Sequence, residues 1–434
     1  MLRSMFSAIS GLRAHQTKLD VTGNNIANVN TVGFKASQTV FEDTLSQVLR
    51  NGSAPNGGVA GTNPAQVGLG VKVAGITTNF GQGSTQNTGR ASDFMISGDG
   101  FFVTKVGNEQ LYTRAGSFDT DGVGNLVTPD GAKLQGWMAN ALGVVDANGP
   151  VQDLRIPTGQ VLAPVATTGA ALAGNLSATP VADETPVTSQ IAMYDDLGNA
   201  HPISVSMTRN ATPANSWAVT FTDTSTASAT SPGTQMGPAL TLQFADGTGA
   251  YLDGNGLPRP AGTLHTPMPA VFELDSATAG AAAWTKDVNI DLSAMTQFGG
   301  KSDAAAKTTA DSGSAMGVLE GYSLANDGTI VGIYSNGLRQ NIGQLALATF
   351  TNPGGLEKAG NSSFRAGDNS GNPLVGQAGT GGRGSLSAGA LEMSNVDLAE
   401  EFTGLIVAQR GFQANSRVIT TSDEILQDLV QLKR

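Results

Sequence analysis

The sequence predicts a mainly β protein with α-helical termini: nested domains, terminal helices that pair as a coiled coil, and inner and outer β-domains. Three observations predict it. Apolar residues recur with helical spacing at both ends, turn dipeptides punctuate the region between them, and the composition changes partway through that region.

At the N-terminus Leu2, Met5, Ile9, Leu12 and Leu19 fall at alternating three- and four-residue steps, with polar Gln16 at the vacant position. That is the 3.5-residue period of a coiled-coil seam. The stretch GNNIANVNTVGFK, residues 23–35, follows directly. Asn and Gly tolerate the left-handed conformation at helix ends, and Asn side chains replace lost helical partners of the backbone. Asn24, Asn25 and Asn28 are therefore expected to stop the helix and to fix the path into Gly33, Phe34 and Lys35. At the C-terminus Leu398, Leu405, Phe412, Ile419 and Leu426 recur every seven residues, with Phe402, Ala408 and Leu429 widening the stripe. Each seam is mostly polar outside its stripe, so each is expected to partner the other, with neighbouring copies of the chain covering what remains.

Between the ends lie strands and tight turns. Asp99-Gly100, Asp121-Gly122, Asp130-Gly131, Asp246-Gly247, Asp253-Gly254, Asp327-Gly328 and Asn336-Gly337 accept the positive φ of hairpin turns. Phe101–Val103, Ile203–Met207 and Leu345–Phe350 supply strand material. From about Val145 to Asp311 the chain is rich in Ala, Thr and Pro, while its flanks carry Gly and Asn turns with Tyr112, Phe118, Tyr322 and Tyr334. An outer domain inserted into an inner one fits this pattern. The expected domains are a terminal helical pair (1–30 and 395–434), a connecting segment (31–75 and 385–394), an inner β-domain (76–145 and 312–384) and an outer β-domain (146–311).

Composition narrows the function. A net charge of -11 argues against nucleic acid and acidic membrane surfaces, which select basic patches. There is no Cys, hence no thiolate metal site or disulfide framework. The longest uncharged stretch, Ile156–Ala182, is broken by Pro157, Pro164 and Pro180, so no membrane insertion is expected; the N-terminus lacks the continuous apolar core of a cleaved signal peptide. Gly299-Gly300-Lys301-Ser302 imitates a phosphate-binding loop but has Met295 where the first glycine belongs. Asp119, Asp121 and Gly122 imitate a calcium loop whose glycine comes too early. His15, His201 and His265 lie far apart without sequence-local partners. No catalytic residue, metal or cofactor is expected.

SAISGLRAHQTKLDVTGNNIANVNTVGFKAS and LEMSNVDLAEEFTGLIVAQRGFQANSRVITTSDEILQDLVQL resemble the N- and C-terminal signatures of the axial proteins of the bacterial flagellum, the rod and hook families. DFMISGDGFFV and YTRAGSFDTDGVGNLVTPDGAKLQGW resemble the inner β-domain of that superfamily, and YDDLGNAHPISVSMTR, GYSLANDGTIVGIYSNG and LATFTNPGGLEKAGNSSF are similar to segments typical of the hook family. The resemblance implies a structural subunit polymerising into a flexible curved tube, a universal joint carrying motor torque from rod to filament, with the paired terminal helices as its inner coiled-coil layer. Its implied partners are further copies of itself, the distal rod protein, the hook cap protein, the hook-filament junction protein and the flagellar type III export apparatus. Its implied location is the extracellular hook, reached without a cleaved signal peptide. Hinges are expected after Phe34 and near Val145 and Asp311. A distal rod protein, or a secreted β-rich enzyme or adhesin, are the alternative readings.

Overall fold

The computed structural model describes residues 2–55, 60–179, 185–212, 215–225, 233–236, 239–244, 288–308 and 313–431. Two compact units emerge, one of Met1–Thr158, Gly321–Gly332 and Arg339–Arg434, the other of Gly159–Glu320 and Ile333–Leu338. The first boundary falls after Thr158 instead of near Val145. The cause is local: Gln152–Asp153 still pairs with the strand Lys133–Met138, and Leu154 and Ile156 are buried. Asp311, the other expected crossing, lies outside the described residues.

Unit 1 carries both helices, α1 (Leu2–Ala27) and α2 (Leu398–Gln431). The start of α2 is set by Asp397, whose Oδ1 accepts from the backbone N–H of Ala399 at 2.8 Å and of Glu400 at 3.4 Å, with Glu400 and Glu401 adding negative charge at the positive end of the helix. Next to α1 lies an antiparallel ribbon of Ser37–Asp43 with Val71–Thr78. The main sheet runs Arg339–Leu345, Lys133–Met138, Phe101–Val106, Glu109–Thr113, Ser363–Arg365, Glu357–Gly360, every pair antiparallel. Its core is aromatic. Phe101 meets Phe80, Phe350 and Phe364 edge to face at 5.6, 5.9 and 5.9 Å, and Tyr112 meets Phe350 at 4.8 Å. Two short pairings return the chain toward α2: Ser385–Ala388 with Phe94–Ser97, and Ala390–Glu392 with Thr85–Asn87.

Among the described residues of unit 2, two sheets surround one core. Gly169–Ser177 lies between Asn289–Phe298 (parallel) and Asp303–Thr308 (antiparallel), while Val187–Tyr194, Ala200–Arg209 and Ser216–Asp223 form a meander with two shorter strands. Leu172, Leu176 and Met295 of the first sheet pack with Ile203, Val205, Trp217 and Phe221 of the second. Met295 is thus a core residue of a strand, which explains why the phosphate-loop imitation fails.

The turn dipeptides behave as expected at Gly100, Gly131, Gly328 and Gly337, all with positive φ. Asp121-Gly122 differs: the Asp121 carboxylate accepts from the N–H of Val123 and of Asn125, and Gly124 takes the positive φ. Asp246-Gly247 and Asp253-Gly254 lie outside the described residues.

Candidate functional site

The two helices pack antiparallel. Gly11 of α1 lies against Asn415 of α2, His15 lies against Gly411, and Asn25 bonds Glu401, so position rises along one helix as it falls along the other. A Cβ at Gly11 would stand 2.9 Å from Asn415 Nδ2, and one at Gly411 would stand 2.5 Å from His15 Nε2. A side chain at either crossing would have to displace Asn415 or His15. The most deeply buried positions are small or polar: Ala8, Gly11, Ala14, Thr22 and Asn25 on α1, Ala408 and Ser422 on α2. The seam residues expected to form the interface flank this line instead. Met5, Ile9, Leu12, Leu19, Leu405, Phe412, Ile419 and Leu426 are half-buried, and Leu398 is exposed; the side chain of Leu2 lies outside the described residues. Helix axes approach as closely as the residues between them allow, so small residues take the centre and large ones the shoulders. Phe402, expected to widen the seam, is exposed, as are Ile406, Val407, Val418 and Ile425 of α2 and Phe6 of α1.

A second element lies against α1. Ser10 Oγ accepts from the N–H of Val71 at 3.2 Å, and the His15 ring meets Phe41 edge to face at 5.7 Å. His15 is thus held among α1, α2 and the ribbon, with its Nδ1 buried and without a hydrogen-bond partner among the described residues. Burial, with the charge of Lys18, pushes its pKa down.

The asparagine stretch divides its labour. α1 continues through Asn24 and Asn25 and ends at Ala27, and none of these asparagines adopts positive φ; Gly33 does, at 68°. Asn28 closes the helix, its Nδ2 donating to the Asn24 carbonyl at 2.9 Å and its Oδ1 accepting from Thr31 Oγ1 at 3.0 Å. Asn25, only 1% exposed, is a clamp: its amide donates to Ser37 O (2.7 Å) and Glu401 Oε1 (2.6 Å), and its Oδ1 accepts from the Ser37 N–H (3.0 Å). Asn24 is exposed.

Gly33 and Lys35 lead into a buried ion cluster. The Gly33 N–H donates to Glu392 O, and its α-carbon sits so close to Ala115 that a Cβ would stand 2.4 Å from the Ala115 nitrogen. Lys35 Nζ donates to Glu392 Oε1 at 2.7 Å and to Gly81 O at 2.8 Å; Glu392 Oε1 also accepts from the Gly83 N–H, and Arg114 reaches Glu392 Oε2 at 3.2 Å. All three side chains are at most 3% exposed. Burial lowers the Lys35 pKa; the hydrogen bond and charge of Glu392 oppose it and Arg114 adds to it. Close by, Asn395 accepts from the Ala36 N–H and donates to Asn79 O and Gly81 O. Phe34 and Lys35 were expected to open a hinge. Lys35 is instead tied into this buried cluster, because a buried lysine and carboxylate cannot separate without leaving charge unpaired.

Sequence reasoning brought Asn25, Gly33 and Lys35 into view but missed their counterparts Arg114, Glu392, Asn395 and Glu401. A signal existed in charged residues such as Arg114 and Glu392 set within strand-forming segments of a chain only 14% charged. The imitation motifs and histidines resolve likewise. Asp119 pairs with Arg90, and His201 Nδ1 lies 2.7 Å from Asp223 Oδ2 beside Asp195. His265 lies outside the described residues, and among the described residues no cluster could hold a metal.

Comparison with known proteins agrees with this arrangement. Family models match successive parts of the chain: a flagella basal body rod protein model over residues 5–35, the flagellar hook protein FlgE/F/G D1 domain over 95–173, the flagellar basal body protein FlaE D2 domain over 167–311, and the flagellar basal body rod FlgEFG protein C-terminal model over 387–432. These put the chain in the class of axial proteins of the bacterial flagellum. Flagellar hook protein FlgE of Borreliella burgdorferi is 41% identical over 454 residues, covering 100% of both chains, and that of Treponema pallidum is 38% identical over 467 residues, again covering 100% of both. The crystal structure of Helicobacter pylori flagellar hook protein FlgE2 is 13% identical, with a TM-score of 0.47 over 71% of this chain and 100% of that one. The chain belongs to the flagellar hook protein family, and is a structural, non-enzymatic subunit of the flagellar axis.

Proposed function

We propose that this subunit builds a curved hook tube that acts as a universal joint, passing torque from rod to filament. The observation that carries the reading is the apolar surface left open on the helix pair: Phe402, Ile406, Val407, Val418 and Ile425, all at least 43% exposed. Fully burying an apolar side chain of this size stabilises by about 1.5–3 kcal/mol, so further copies laid against these residues would supply the assembly energy. A tube needs heterologous contacts, one patch of a subunit on a different patch of the next. With Lys35 fixed, compliance is assigned to the crossings at Thr158–Gly159, Glu320–Gly321, Gly332–Ile333 and Leu338–Arg339.

The finer partners follow from the family: the distal rod protein at one end of the tube, the hook cap protein and hook-filament junction protein at the other, and the type III export apparatus, which delivers the chain without a cleaved signal. Deleting Leu398–Arg434 tests the assembly reading. The β regions retain their own cores and are expected to stay folded and soluble, while polymerisation is lost; tubes formed by the truncated chain would refute it.

A further inference from the structure

Where α1 ends, a pocket of ≈ 330 Å³ opens between the helix exit and the hairpin Glu357–Gly360/Ser363–Arg365, lined among others by Asn24, Asn28, Phe34, Lys358 and Ser362. Its one free-standing charge is Lys358. The ammonium donates to Ser37 Oγ at 2.8 Å and lies 5.3 Å above the centre of the Phe34 ring, yet among the described residues no carboxylate comes within ion-pair distance. Desolvation pushes its pKa down with no acidic group to oppose it. Asn24, on the same wall, makes no side-chain hydrogen bond among the described residues. Asn361 and Ser362, also in the lining, are the two-residue turn of the hairpin and take the positive φ, 50° and 55°, that such a turn requires.

We propose that this pocket receives an Asp or Glu side chain from a second copy of the chain, held by Lys358 and the Asn24 amide. Charge complementarity favours that occupant. Each copy carries 35 acidic against 24 basic side chains, so every neighbour in the polymer presents surplus carboxylates, and an exposed ammonium without a carboxylate partner is complemented best by an anion that brings hydrogen-bond acceptors with it. The site adjoins the helix pair, so occupying it would extend the helix contacts between copies onto the β hairpin. The inference rests on the assembly reading above.

Two measurements on the full chain test it, with wild type polymerised in parallel. Lys358→Met is expected to raise the critical concentration for polymerisation about tenfold, the size of one charge-assisted hydrogen bond, and to flatten its dependence on salt, while Lys358→Arg stays near wild type. Separately, an amine-reactive ester read by peptide mass spectrometry should label Lys358 in wild-type monomer and spare it in polymer. An unchanged critical concentration for Lys358→Met, or equal labelling in both states, overturns the proposal. So does protection of the monomer's Lys358 by acetate or inorganic phosphate alone, which would make this a small-anion site. Failure of wild type itself to polymerise would overturn the assembly reading instead.

Discussion

Replacing Glu392 by Ala removes the only carboxylate among the described residues that lies against Lys35 and Arg114, whose side chains are 0% and 3% exposed. Two cations are then left facing each other without water. Breaking a buried pair by deleting one partner costs about 3–5 kcal/mol, because the remaining charge keeps its desolvation penalty and loses its compensation. For units of this size each kcal/mol lowers the midpoint by about 2–4 °C, so a loss of about 6–20 °C is expected. Scanning calorimetry of the monomer should show it in the transition of unit 1 and leave that of unit 2 in place, since the cluster belongs wholly to the former. Lys35→Met is expected to cost less, because Glu392 keeps Arg114 at 3.2 Å. A loss under about 1 kcal/mol for Glu392→Ala would mean that the cluster behaves as a solvent-screened surface pair, and the account of a rigid junction would be wrong.

Gly411→Ala should weaken the helix pair by about 1–3 kcal/mol through overpacking against His15, and a second substitution, His15→Ala, should recover part of that loss; equal helix protection in hydrogen exchange for all three chains would count against the crossing. Asn25→Ala strips Ser37 and Glu401 of their partner and is expected to cost about 1–3 kcal/mol in denaturant unfolding, whereas exposed Asn24→Ala should stay within about 0.5 kcal/mol; equal effects would contradict the division between them. Acidification gives a fourth outcome. The folded-state pKa of His15 is depressed, so below about pH 6.5 the unfolded chain binds a proton that the packed ring resists, and stability falls as pH drops toward the folded value. Helix-pair stability measured between pH 7.5 and 5.5 should decline in wild type and decline less in His15→Phe.

The helices, the strand-rich middle and most hairpin turns were legible because each is written in local period or in a Gly that takes positive φ, as at Gly131 and Gly337. The helix interface was legible only in direction. Heptad spacing located the right side of α2 and included buried Ala408, but it also named Leu398 and Phe402, which are exposed, and passed over buried Ser422. Small residues leave no hydrophobic signal, though they decide how near two backbones come. The junction was harder, since Lys35 and Glu392 are 357 residues apart and no local pattern connects them. The extent of the inserted unit was misjudged because composition changes at Val145 while strand pairing persists to Asp153.

That separation in sequence orders the events in a growing chain. Lys35 is made early and Glu392 late, and α2 later still, so the N-terminal region has no partner until hundreds of residues have been added. A chain that stops short of residue 392 never neutralises its lysine and never closes its helix pair. Completion of the polypeptide is therefore written into the junction, and only a finished molecule has the paired helices to offer a neighbour.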